Sequence, residues 1–161
     1  MDKQTLIRHY GVSSDTQLIE LANKLNIKLR YVGFAENLPA LSKLDGAYII
    51  NLGDFERSGT HWTGLFVRGK DAFYYDSYAG PPEDIVIDWL EQNGVKNLIY
   101  NDYFQMQGIE ETLCGIYVIN FLYYMTHSKK KRLIDRFHEF TSYFTDLDGK
   151  YSSGLNLEFI K

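Results

Sequence analysis

The run CGIYVINFLYYM, residues 114 to 125, carries apolar side chains on nearly every face when laid out as a helix. A helix with no polar stripe has no side to turn to water, so it is a central element enclosed by the rest of the fold. The remaining residues must therefore supply a wrapper of sheet and helices around it. The same run holds the only cysteine of the chain, Cys114, at its mouth, with Gly115 directly after. Thiolates are favoured at helix N-termini, so this placement suits a reactive thiol better than an inert one.

The wrapper can be read from both sides of the run. In SSDTQLIELANKLNI, Ser14 or Asp15 serves as N-cap, and Leu18, Ile19, Leu21, Ala22 and Leu25 fall at helical spacing, which predicts a first amphipathic helix. Pro39 and Gly46 punctuate the chain before AYIINLG, a short apolar strand, and GDFERSG follows as a polar loop. THWTGLFV and AFYYDSY read as strands joined by a turn at RGKD. AGPPED ends the second of these and leads into a helix in IVIDWLEQNG, closed by Gly94. NLIYNDYFQ is a further strand, and after SKKKR the segment LIDRFHEFTSYF is a last amphipathic helix with Leu133, Phe137, Phe140 and Phe144 as its stripe. The order predicts an α+β fold: a mostly antiparallel sheet packed on a buried helix that starts at Cys114, with flanking helices. With no repeat and no linker, residues 1–161 read as a single domain.

Composition narrows the function classes. Hydrophobic residues at 45% and aromatics at 16% exclude a disordered chain. A formal charge of −4 gives no general electrostatic reason for a nucleic-acid or anionic-membrane partner. One cysteine cannot form an internal disulfide, which fits a reducing compartment and leaves Cys114 free for chemistry. The N-terminus has no apolar signal core, and no run approaches the ~18 to 20 residues that span a bilayer. A soluble intracellular monomer with neither metal nor cofactor is expected.

Nucleophilic cysteine catalysis needs a thiol, a base, a group that orients the base, and donors for the oxyanion. Of the four histidines, His9 lies near a terminus, and His127 and His138 flank or sit on helices. His61 begins a strand after a Gly-containing loop and is followed at once by Trp62. A two-residue loop at Arg68-Gly69 would place Asp76 directly opposite His61. The same loop at Gly69-Lys70 would make Asp76 its diagonal neighbour on the same face, roughly 7 Å away. An odd-length loop would turn the two to opposite faces unless a bulge intervened. For the oxyanion, Gln105 and Gln107 are both candidates, and Gly108 favours Gln107 by letting the chain turn back.

GTHW, then YYDSYAG, then QGIEETLCG, in the order His, Asp, Gln, Cys, resembles the adenovirus-type (adenain-like) cysteine proteases that mature virus particles, as in virophages and related virus-like mobile elements. More distantly it is similar to the proteases that remove SUMO and other ubiquitin-like proteins. The likeness covers about Ala47 to Met125. It implies His61 as base, Asp76 as orienter, Gln107 as oxyanion donor and Cys114 as nucleophile. In the family the tryptophan after the histidine helps roof a narrow channel, which implies a substrate-binding role for Trp62 and cleavage beside glycine. The resemblance also implies capsid or core precursor polypeptides as substrates, in the virion and in the host cell cytoplasm or viral factory. The adenovirus enzyme is stimulated by DNA, which here would act through Lys129, Lys130, Lys131 and Arg132. The simpler role for those four cations is to complement the dipole at the end of the central helix.

Two other readings share the fold. A deconjugating protease would use the same chemistry on ubiquitin-like tails, although such enzymes usually carry targeting extensions and none is recognised here. A catalytically silent binding module would keep the architecture without a reactive thiol. Taken singly, each motif also has a packing explanation: Cys114 and Trp62 as core residues, Asp76 as a turn residue at a strand end.

Overall fold

The computed structural model describes residues 14–53, 61–101 and 114–142. Its elements, in chain order, are α1 (Asp15–Lys24), β1 (Leu29–Phe34), a short 3-10 turn (Ala35–Asn37), β2 (Gly46–Asn51), β3 (Trp62–Arg68), β4 (Asp71–Tyr75), α2 (Asp84–Gln92), β5 (Asn97–Tyr100), α3 (Cys114–His127) and α4 (Leu133–Ser142). The α+β architecture expected from the sequence is present, with one sheet between two layers of helix.

Local sequence explains the helix ends. Ser14 caps α1: the Gln17 N–H donates to Ser14 Oγ at 3.2 Å, and the Ser14 N–H donates to Gln17 Oε1 at 2.9 Å, which closes a capping box. At the other end the Ile27 N–H reaches back to the Ala22 carbonyl, with Asn26 in the left-handed region at φ 56°. Helix α2 ends by the same pattern at Gly94, where the Val95 N–H donates to the Leu90 carbonyl.

The five strands lie in sequence order, β1-β2-β3-β4-β5. The centre, β2-β3-β4, is antiparallel, and β1 and β5 join its two flanks in parallel. Strand β1 was not anticipated. Its sequence, LRYVGF, shows no alternation of burial and starts with a register shift against β2, so only its neighbour defines it. The β3-β4 hairpin turns on Gly69-Lys70, with Gly69 at φ 60°, as a two-residue loop of the primed type requires.

Alternation divides the core between the two faces of the sheet. Ala47, Ile49, Trp62, Phe66, Phe73 and Tyr75 face α3, α1 and α4, while Tyr48, Ile50, Leu65, Val67, Ala72 and Tyr74 face α2 and the 3-10 segment. Helix α3 is buried along nearly its whole length, from Cys114 to Met125, as its composition demands. It lies close against β3 at Gly64, where a Cβ would stand only 2.8 Å from Phe121 Cδ2 and 3.0 Å from Val118 Cγ1. Leu133, Phe137 and Phe140 of α4 close the far side of α3, and the remaining stripe residue, Phe144, lies outside the described residues.

The basic segment before α4 has partners of its own. Arg132 is ion-paired with Asp135 at 2.9 Å, and Lys129, Lys130 and Lys131 are exposed. The cation that meets the end of α3 is Arg136, whose guanidinium donates to the carbonyls of Met125 and Lys130, each at 2.7 Å.

Candidate active site

The site is assembled where the β3-β4 hairpin opens beside the first residue of α3. His61 immediately precedes β3, held there by the Leu52 N–H, which donates to its carbonyl at 2.9 Å. Asp76 immediately follows β4. The loop at Gly69-Lys70 fixes the register up to Gly64 beside Tyr75, and carried past that pair the same register puts the two at diagonal positions. His61 Nε2 lies 2.8 Å from Asp76 Oδ1. The carboxylate is 6% exposed and the imidazole 18%, so the pair is shielded while an edge of the ring stays reachable.

Asp76 is held on several sides. The Tyr78 N–H donates to Oδ1 at 2.8 Å, and the Ala79 N–H donates to the Asp76 carbonyl at 2.9 Å. Ala79 itself sits at φ 60°, an unusual conformation for a residue with a Cβ. Oδ2 lies against Gly80, where any Cβ would stand 2.7 Å away. Asn101, just past β5, pairs with the main chain of Asp76. The ring of Tyr78, in the turn after β4, lies 5.0 Å from the imidazole, centroid to centroid.

Cys114 is buried at 8% exposure in the same core cluster as Trp62. It also reaches the imidazole, and its effect appears in the ring's electrostatics. Burial works against a charged His61, but the hydrogen bonds to Asp76 and Cys114, with the charges of both, outweigh it and hold the pKa up at about 9. Since Nε2 is committed to Asp76, Nδ1 is the nitrogen left for the thiol. The structure thus brings His61, Asp76 and Cys114 together from positions 61, 76 and 114.

Other sequence candidates have different fates. Trp62 is 4% exposed and packed beneath the site, against the α3 side of the sheet. Asp71, the other acidic residue near the hairpin, accepts from Asn97 Nδ2 at 2.8 Å and takes no part. His127 bonds the Leu25 carbonyl at 2.9 Å, tying α3 to the end of α1, and His138 is exposed on α4. Gln105, Gln107 and His9 lie outside the described residues. Tyr78 and Asn101 escaped the sequence reading. YYDSYAG offers Tyr78 only as another aromatic, and an Asn after a strand reads as an ordinary turn residue.

Among the described residues no group of three His, Cys, Asp or Glu side chains could hold a metal ion, and no helix is long and apolar enough to cross a membrane.

Neither protein-family models nor curated proteins give a match to the chain. Among solved structures, it is similar to a crystal structure of the ASFV pS273R protease, with 18% identity over 79% of this chain and 63% of that one, at a TM-score of 0.43. A selenomethionine crystal structure of the same protease is similar at 20% identity over 59% of this chain and 43% of that one, with a TM-score of 0.38. The chain therefore spans less than two thirds of the length of either.

Proposed function

We propose that the protein is a cysteine endopeptidase that processes viral capsid or core precursor polypeptides at glycine-containing sites during particle maturation. The observation that carries the reading is one imidazole engaged by both a buried carboxylate, 2.8 Å away, and the only thiol of the chain. In this reading Cys114 is the nucleophile, His61 the base and Asp76 the group that orients the ring and stabilises its cation. Motif order carries the substrate class, through the likeness of GTHW, YYDSYAG and QGIEETLCG to maturation proteases. Stimulation by DNA through Lys129, Lys130, Lys131 and Arg132 belongs to the same reading.

The chemistry runs in two halves. In the resting pair the Cys114 proton already sits on His61 Nδ1, and the thiolate sulfur attacks the scissile carbonyl carbon. The resulting oxyanion is received by the Gln107 amide. Collapse breaks the C–N bond, and the amine leaves with the proton from His61. Water then gives its proton to His61 and attacks the thioester, and collapse frees the new carboxyl terminus and returns the thiol. A His61 pKa of about 9 favours the imidazolium at neutral pH, the form that pairs with a thiolate and protonates the leaving amine.

Incubation with Gly-Gly-X and Gly-X-Gly-X peptides, with cuts mapped by mass, tests the reading. Wild-type protein should cut beside glycine, and Cys114→Ala should abolish cutting without unfolding the chain. Activity retained in Cys114→Ala would end it. Absence of cutting, together with no enhanced reactivity of Cys114 toward a thiol probe near neutral pH, would favour the binding module.

A further inference from the structure

We propose that Asn101 is a positioning residue of this site: its buried carboxamide fixes the main chain of Asp76, and through it the Asp76–His61 hydrogen bond on which the functional reading rests. Asn101 is 3% exposed. Its Oδ1 accepts from the Asp76 N–H at 3.1 Å, and its Nδ2 donates to the Asp76 carbonyl at 2.6 Å. The two bonds grip Asp76 on both sides of its Cα, which sets the direction in which the side chain leaves the backbone.

Placement and chemistry both support the assignment. Strand β5 runs parallel to β4 with Tyr100 beside Tyr74, so the residue after β5 is delivered alongside the chain that leaves β4. There the regular ladder stops, and a side-chain amide continues it. A carboxamide combines an acceptor and a donor on one carbon and so matches the C=O and N–H of a single residue, whereas an ionised carboxylate has only acceptors. Asp76 has already left the strand, and its Oδ1 must still reach both His61 Nε2 and the Tyr78 N–H. Without the grip from Asn101, the main chain of Asp76 is left with the short turn to Ala79, and its carboxylate with the Tyr78 N–H and the ring it orients.

The prediction is that Asn101→Ala lowers kcat on a cleavable glycine peptide by about 10- to 100-fold with little change in KM, because a misplaced orienting group affects the chemical step. Double substitution supplies the decisive comparison: Asp76→Ala with Asn101→Ala should be no slower than Asp76→Ala alone. A second readout needs no catalysis. Asp76 and Cys114 are the titratable groups among the described residues that hold the imidazole pKa up. In a Cys114→Ala background, an NMR titration of His61 therefore reports on Asp76, and Asn101→Ala should move the His61 pKa down toward the ordinary imidazole range. Asn101→Leu, closer in volume, replaces Asn101→Ala if the smaller residue prevents folding. An unchanged His61 titration, or losses in kcat that multiply in the double variant, would reduce Asn101 to a strand-end packing residue. If the wild-type chain cuts no peptide, the functional reading fails while the titration still decides the role of Asn101.

Discussion

Replacing Gly64 with alanine should weaken the fold and disable the site together. The new Cβ would stand 2.8 Å from Phe121 Cδ2, 3.1 Å from Phe121 Cε2 and 3.0 Å from Val118 Cγ1. Carbon atoms rest at about 3.5 to 4.0 Å, so relief requires a movement on the order of 1 Å. Phe121 has nowhere to turn, because its ring is enclosed by Tyr75 at 5.3 Å, Phe140 at 5.7 Å and Phe137 at 6.0 Å between centroids. Helix α3 must therefore lift off β3. Overpacking of this kind costs about 1 to 3 kcal/mol. For a domain of this size that lowers Tm by about 2 to 12 °C. Val118 lies one turn after Cys114, so the lift is passed to the thiol, and a displacement on the order of 1 Å costs up to about 100-fold in kcat. Circular dichroism melting and peptide cleavage measure the two effects side by side. A Gly64→Ala protein with wild-type Tm would refute the tight seating of α3. A lowered Tm with full activity would show that this contact does not position Cys114.

Asp76→Asn should retain part of the activity, since an amide can still orient the ring, while His61→Ala should be as damaging as loss of the thiol; steady-state kinetics on the same peptide separates the two. Gln107→Ala should lower kcat on the order of 100- to 1,000-fold, and a large effect from Gln105→Ala instead would move the oxyanion role to that residue. The pH dependence of stability has a definite sign. The folded pKa of His61 is raised from 6.5 to about 9, so its contribution is complete below pH 6.5, declines as pH rises toward 9 and is lost above it. Urea midpoints should therefore fall more steeply from pH 6.5 to 9 in the wild type than in His61→Ala, and parallel curves would remove the ring from this role.

What the sequence disclosed follows from how local each feature is. The N-cap at Ser14 or Asp15, the enclosure of α3 and an even-length hairpin loop at Gly69 are each written within a few adjacent residues. The hairpin also made the His61–Asp76 pair legible, because a loop position fixes which side chains share a face. Even so, two even-length loops fitted the same residues, and the pairing of Arg68 with Asp71 decided between them. Strand β1 was hidden because its parallel pairing with β2 comes from across a connection, and its own residues show no period. Asn101 was hidden for the same reason: its partner is 25 positions away in the chain. Trp62 is packed in the core cluster while its neighbour His61 faces the site, as alternation along a strand requires.

The separation in sequence between the members of the site orders its assembly in time. His61 and Asp76 are 15 residues apart and meet within one hairpin, a contact of low closure cost, whereas Cys114 joins them only when α3 docks onto β3. During synthesis His61 and Asp76 leave the ribosome first, and the thiol emerges later on a helix that is apolar all round. Until that helix is buried, Cys114 is away from the imidazole, so its contact with His61 waits for the docking of α3. The most hydrophobic of the described elements thus acts as a timer: the burial that completes the core is the same event that brings the sulfur to the imidazole.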